Sequence, residues 1–260
     1  MKLHQVALQL YTLRDFTKTP SDFAVTARKI RAAGYEAVQI SGVGPIEDRE
    51  LVSICRGEGL RICATHESGK VIVEETQKII DRLGRLGATY TAYPHPHVPL
   101  TTVEEVLALA ADLDKAGKAL RKAGLVLTYH NHAIELRKFD GKTMLDLFFE
   151  HTNKQNLQAT IDTYWIQAGG GDPAEWCRKL KRRLPMIHMK DFGVSKDNKT
   201  GVMMEVGAGN LNWQAIIPAA EKSGCEWFIV EQDICPGDPF DSIRASYQYI
   251  KDHLAERIGR

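Results

Sequence analysis

The 260-residue sequence has no cysteine pair at CxxC spacing, no long basic block, no apolar run of membrane-spanning length and no low-complexity segment. Each absence excludes something. Five cysteines (Cys55, Cys63, Cys177, Cys225 and Cys235) are scattered along the chain. An odd, dispersed set fits free thiols in a reducing, cytoplasmic setting rather than a disulfide framework. Formal net charge is +1, and the densest basic stretch, Arg178 to Arg183, reads as a helix end where cations suit the dipole. Charge therefore gives no support to nucleic-acid binding. Arg14 and Asp15 interrupt the first apolar stretch, so it is not a secretory signal, although a leader already removed would leave no trace. No run is long enough for a bilayer helix, so no membrane partner is expected. What remains is ordinary globular composition in a length near that of a single α/β barrel.

Apolar runs and helical segments alternate along the chain. Strands are expected at 6–11, 35–40, 60–65, 88–93, from the apolar run Leu125-Val126-Leu127 into the stretch that begins at Tyr129, and at 157–161, 185–188 and 227–231. Helices are expected from Ser21 or Asp22 to Ala33, then over 47–58, 73–86, 102–123, 142–151, 173–184, 212–223 and from Pro239 towards Ile258. Gly34, Gly59, Gly87, Gly124 and Gly224 stop five of these helices. Asp172-Pro173 and Asp238-Pro239 open two others, with Asp as the cap and Pro at the first position. Residues 192–211 read as a long loop. Eight strand–helix units in this length predict an α/β fold, a (β/α)8 TIM barrel formed by residues 1–260 as one domain. A doubly wound open sheet would want a glycine-rich phosphate turn after the first strand, and Tyr11-Thr12-Leu13-Arg14 is not one.

In a barrel the C-terminal strand ends converge on one mouth, where active sites sit. Here they carry Gln9 and Tyr11, His66 and Glu67, His95 and His97, His130, His132 and Glu135, Asp162, His188, Lys190 and Asp191, and Glu231 and Asp233. The stretch Tyr129-His130-Asn131-His132-Ala133-Ile134-Glu135 alone is a loose His-x-His…Glu cluster with a plain hydrogen-bonding alternative. With the other ends it becomes part of a set. Glu135, Asp162, His188 and Glu231, from four successive strands, make a mixed oxygen–nitrogen site suited to Mn²⁺ first, and to Mg²⁺, Co²⁺ or Zn²⁺. Three carboxylates side by side need a cation. Each residue alone has a plainer reading: Asp162 as a loop cap, Glu231 as the ion-pair partner of Lys190.

The chain resembles the xylose isomerase-like TIM-barrel proteins, sugar isomerases and epimerases that also include class II AP endonucleases. The resemblance spans nearly the whole chain. It is carried by Gln9 to Arg14, Tyr129-His130-Asn131-His132 with Glu135, Asp162-Thr163-Tyr164-Trp165, His188-Met189-Lys190-Asp191, Glu205-Val206-Gly207-Ala208-Gly209 and Val230-Glu231-Gln232-Asp233. The subgroup most resembled is sugar phosphate isomerase/epimerase, near inosose dehydratases and 3-keto-glycoside-processing proteins. The family pattern implies a Glu–Asp–His–Glu metal set, which Asp162, His188 and Glu231 match. At strand five His130 stands where many epimerases have the ligand Glu, so Glu135 is the expected ligand, with His132 or His130 as the fallback. Trp165 stands where ketohexose epimerases have His.

The resemblance implies proton abstraction next to a carbonyl, through an enediolate stabilised by one divalent metal ion. Glu231 is the expected base and Glu135 its counterpart. Lys190 is expected to polarise the carbonyl or hold an anionic group, with a structural ion pair as the alternative. His66, His130, His132, Trp165 and Tyr11 are the expected substrate-binding residues. The partner is a small-molecule sugar or keto-sugar, unphosphorylated because no phosphate-binding turn stands out, and a homodimer or homotetramer is expected. The same enolate serves β-elimination, so dehydration of a keto-sugar, inosose or 3-keto-glycoside is the alternative outcome. DNA repair and a non-catalytic sugar-binding barrel are the remaining readings. The first would need an extra histidine ligand where Trp165 stands.

Overall fold

A computed structural model describes residues 1–198 and 201–256. Eight parallel strands close a barrel: β1 (Val6–Gln9), β2 (Ala37–Ile40), β3 (Arg61–His66), β4 (Tyr90–Tyr93), β5 (Val126–His130), β6 (Leu157–Asp162), β7 (Met186–Met189) and β8 (Trp227–Val230). They pair in sequence order, and β8 closes on β1 with Val6 opposite Phe228. The single-domain TIM barrel expected from the sequence is the fold observed.

Strand alternation sorts the side chains into two sets. Leu8, Val38, Leu127, Ile161, Ile187 and Phe228 face the surrounding helices in the main core. Ala7, Ala37, Met186 and Ile229 belong to a second, smaller cluster. On the inward faces above them lies a polar layer, fully buried and mutually bonded. Gln9 Nε2 donates to Gln39 Oε1 at 3.0 Å, and the Thr128 and Thr160 hydroxyls lie 2.8 Å apart. Buried polar groups persist only when so paired, and this layer is the floor of the mouth.

Several local expectations shift for identifiable reasons. Strand β1 ends at Gln9, and Leu10–Phe16 form a 3-10 turn. Thr19, not Ser21 or Asp22, caps α1 (Pro20–Ala32), because Pro20 fits the first helical position. Helices α2 (Asp48–Gly57), α5 (Val103–Lys122), α6 (Met144–Glu150) and α9 (Trp213–Lys222) lie within their expected spans. The helix expected over 73–86 starts earlier and breaks at Glu75, giving α3 (Gly69–Glu74) and α4 (Thr76–Leu86). Helix α3 begins on a glycine because the Tyr93 ring packs where a Cβ would stand, 2.6 Å away. A short helix α7 (Thr163–Ala168) follows β6 directly, and α8 stops at Lys179 (Pro173–Lys179). The last helix, α10, runs Pro239–Tyr249 and continues as a wide turn through Leu254; residues 257 and 258 of the expected helix lie outside the described residues.

The expected long loop after β7 contains a hairpin, Asp191–Val194 paired antiparallel with Gly201–Met204. Asp191 anchors it. Its buried carboxylate accepts from the backbone N–H of Phe192, Gly207 and Leu211 and from the Trp213 indole. Gly209 lies against this carboxylate so closely that a Cβ would fall 2.4 Å from Asp191 Oδ1. The Gly207–Gly209 segment is thus a tight turn on a carboxylate.

Candidate metal centre and substrate pocket

Strands β5 to β8 deliver His130, Asp162, His188 and Glu231 to one point. One ligand-capable atom from each lies within 4.8 Å of the other three, and all four residues are buried. This buried His/Asp/His/Glu cluster is able to hold a metal ion. The donor pattern fits one closely. His130 Nδ1 lies 3.2 Å from the carbonyl oxygen of Pro94, which only accepts, so Nδ1 carries the proton. Nε2 of the same ring faces Asp162 Oδ2 at 3.3 Å. His188 has the same pair of contacts: Nε2 lies 2.8 Å from Gln39 Oε1, and Nδ1 lies 2.7 Å from Glu231 Oε2. Each of these imidazole–carboxylate contacts needs a proton or a cation between nitrogen and oxygen. A ring whose other nitrogen donates to an oxygen of the protein is the usual arrangement of a metal-bound imidazole.

Charge is distributed to match. Burial works against ionisation of Asp162 and Glu231, yet both stay below the usual carboxylate range, held there first by Lys190 and then by the imidazoles. Lys190 Nζ lies 3.0 Å from Asp162 Oδ2, 2.9 Å from Glu231 Oε2 and 3.0 Å from Asp233 Oδ2. Burial alone would lower its pKa; the three carboxylates raise it, so it stays an ammonium. Burial lowers His188 and, with His130 and His188 nearby, His66, keeping both neutral. His130 is the exception, because Asp162 outweighs the burial that would lower it.

Both plainer readings also hold. Asp162 Oδ1 caps α7 by accepting from Trp165 N at 2.9 Å, and Glu231 pairs with Lys190. Capping uses Oδ1 of Asp162 and leaves Oδ2 to the cluster, whereas Glu231 meets both Lys190 and His188 through Oε2.

Glu135 is placed elsewhere, against expectation. Its Oε1 accepts from the Tyr129 hydroxyl at 2.8 Å and its Oε2 from His132 N at 2.7 Å, and it has no exposed surface. The chain leaves β5 after His130 and turns into a 3-10 segment, Ala133–Leu136, so Glu135 reaches back under the turn. Burial raises its pKa against those two hydrogen bonds. His130 stands with the cluster in its place.

Above the cluster opens a cavity of about 640 Å³, lined among others by Tyr11, Arg14, His66, His130, His132, Glu231 and Asp233. Among the described residues, buried polar atoms around the mouth without a protein partner include His66 Nε2, His132 Nδ1, Trp165 Nε1, Gln39 Nε2 and Glu67 Oε1. The His66 ring stacks on His188, and His132 lies edge-on to His130 and 5.3 Å from Trp165. Burial and the charge on His130 push His132 down to about 3. Tyr11 stands at the rim, 38% exposed, with the Arg14 guanidinium over its ring.

Three contributors fell outside the candidate set. Gln39 orients His188; Asp233 holds the Lys190 ammonium; Arg14 bridges the carbonyls of Tyr11 and Asp233. Gln39 did carry a signal, as the one polar residue in the apolar strand Ala37-Val38-Gln39-Ile40.

Residues 27–253 match the family model described as xylose isomerase-like TIM barrel. The chain belongs to this family. It is 24% identical to an inosose dehydratase of Mesomycoplasma hyopneumoniae, across 96% of this chain and 95% of that one. It is 25% identical to an inosose dehydratase of Geobacillus thermodenitrificans, across 59% of this chain and 56% of that one. Among solved structures, a sugar phosphate isomerase/epimerase from Parabacteroides distasonis superposes with a TM-score of 0.83 at 21% identity, covering 98% and 96% of the two chains. A xylose isomerase-like TIM-barrel protein from Mycobacterium smegmatis in complex with magnesium superposes at 0.73 with 14% identity, covering 96% and 97%. Its sequence relatives thus carry dehydratase names, and a protein of the same fold carries an isomerase/epimerase name. Among the described residues no helix is long and apolar enough to cross a membrane.

Proposed function

We propose that this chain is a divalent-metal-dependent enzyme that removes a proton next to the carbonyl of a sugar or keto-sugar. The observation that carries the reading is the pair of imidazoles. His130 and His188 each set one ring nitrogen against an oxygen of Pro94 or Gln39 and the other against a carboxylate. The ligand set proposed is His130, Asp162, His188 and Glu231; Glu135 is withdrawn from it. Two imidazoles with two carboxylates favour Mn²⁺, Co²⁺ or Zn²⁺ over Mg²⁺, which prefers oxygen alone. The bound ion would supply Lewis-acid stabilisation of negative charge on the substrate oxygens.

The protein's own groups do the rest. Glu231, at the cavity floor, is the base. His66 Nε2 and Trp165 Nε1 donate to substrate hydroxyls, and His132 Nδ1 serves as a third polar contact. Tyr11 offers an apolar face to the ring. Lys190 stabilises the oxyanion as charge develops.

Isomerisation or epimerisation returns the proton to carbon; dehydration expels a hydroxyl from the neighbouring carbon instead. Similarity to inosose dehydratases across 96% of the chain favours keeping dehydration as the second reading. The test is metal analysis of the purified protein, then incubation of keto-sugars, inososes and 3-keto-glycosides in D₂O. Stoichiometric divalent metal and deuterium uptake next to the carbonyl are expected. Epimers as products identify the first outcome and unsaturated products the second. Protein without affinity for any divalent ion, or no exchange with any candidate, overturns the reading.

A further inference from the structure

The oxygens that a metal ion needs already hold a cation. Lys190 is 1% exposed, and its ammonium has three N–H donors for three carboxylate oxygens, those of Asp162, Glu231 and Asp233, all at 2.9–3.0 Å. Its hydrogen-bonding capacity is used up. Nε2 of His130 and Nδ1 of His188 are left facing Asp162 Oδ2 and Glu231 Oε2, and Lys190 makes no contact with either nitrogen. The ammonium therefore satisfies the carboxylates of this site and not its imidazoles, whereas a metal ion at the same point would satisfy all four. Charge leads to the same division. One ammonium against three carboxylates leaves the buried cluster negative, and a divalent ion added to Lys190 brings it to neutrality. Both cations have a place, but they share two oxygens.

We propose that Lys190 is the resident cation of the cluster in the metal-free protein, and that a divalent ion displaces its ammonium from Asp162 and Glu231. The ammonium then stays on Asp233, which lines the pocket and is 26% exposed at its side chain. Filling the metal site thereby presents Lys190 towards the substrate, beside the Trp165 ring that its Nζ already faces at 5.8 Å in the metal-free chain. The inference rests on the metal-dependent reading above.

Metal-free wild type, Lys190→Met and Lys190→Gln are titrated with Mn²⁺ by calorimetry, and the Lys190 ammonium resonance of ¹⁵N-lysine-labelled wild type is followed on adding Mg²⁺. At least tenfold tighter Mn²⁺ binding by both variants is expected, with a shifted ammonium resonance at saturating Mg²⁺. Equal or weaker binding by the variants, or an unmoved resonance at saturation, overturns the inference and leaves the metal-dependent reading standing. Binding by the variants alone means that Lys190 holds the site against the ion, which overturns the displacement and removes the metal-dependent reading from the native chain as well. If none of the three binds either ion, both fall. Should the variants fail to fold, the wild-type resonance decides.

Discussion

Strands β1–β4 and strands β5–β8 reach the same mouth with opposite chemistry. The first half turns Gln9, Gln39 and His66 inward, all neutral, His66 being kept so by burial and by the other imidazoles. Its one carboxylate near the mouth, Glu67, is drawn aside to Arg82, which also binds Asp48. The second half supplies Asp162, Lys190, Glu231 and Asp233 around two imidazoles. Lys190 gathers these three carboxylates within 3.0 Å of one ammonium. A barrel that keeps its charge on one side has a side that reacts and a side that reads substrate hydroxyls without competing for the cation.

The division is open to attack from both sides. Glu231→Gln strikes the charged half hardest. Turnover is expected to fall on the order of 10³-fold, the scale of a lost general base, with weakened Mn²⁺ binding measured by chelator competition. Retained turnover would erase the distinction between halves. Glu135→Ala sharpens the boundary behind that half. It leaves the Tyr129 hydroxyl and His132 N–H buried without a partner, which costs about 2–4 kcal/mol for the two in denaturant unfolding. Metal affinity is expected to stay close to wild type, and a collapse of it would return Glu135 to the ligand set.

Acidification tests His132 at the junction. Its pKa is about 3 in the folded chain and about 6.5 when unfolded, so the unfolded state binds the extra proton between those values. Metal-free protein is expected to lose stability as pH falls from about 6.5 towards 3, by up to about 1.4 kcal/mol per unit for one proton. His132→Asn is expected to flatten the curve by that one proton; an unchanged slope would mean that His132 titrates normally. The smallest effect belongs to the neutral half. His66→Ala removes one donor to substrate, and kcat/KM is expected to fall roughly tenfold, through KM, with metal stoichiometry intact. A matching loss of metal would make His66 part of the charged half.

Much of this was legible in the chain because a barrel is periodic. Asp162, His188 and Glu231 each end or directly follow a strand, so counting along an apolar run places them. Gly-stopped helices and the Asp-Pro starts fixed most connections for the same reason. Legibility failed where the chain stops being periodic. Glu135 lies five residues beyond His130, but those residues include a turn that reverses direction, and sequence distance no longer measures position. The hairpin after β7 was missed because its four-residue strands pair only with each other, above the mouth. Lys190 was read as an ion pair or a substrate residue. Its simultaneous contact with three carboxylates depends on the register of β7 against β6 and β8, where Asp162 stands opposite His188 and Val230 opposite Met189.

Asp191 sits one residue beyond Lys190 and clasps the base of the hairpin through four donors, with Gly209 pressed against it. One carboxylate thus rivets the chain just after Lys190 to Gly207, Leu211 and Trp213, so the backbone that carries the lysine is held from its far side as well as by the barrel.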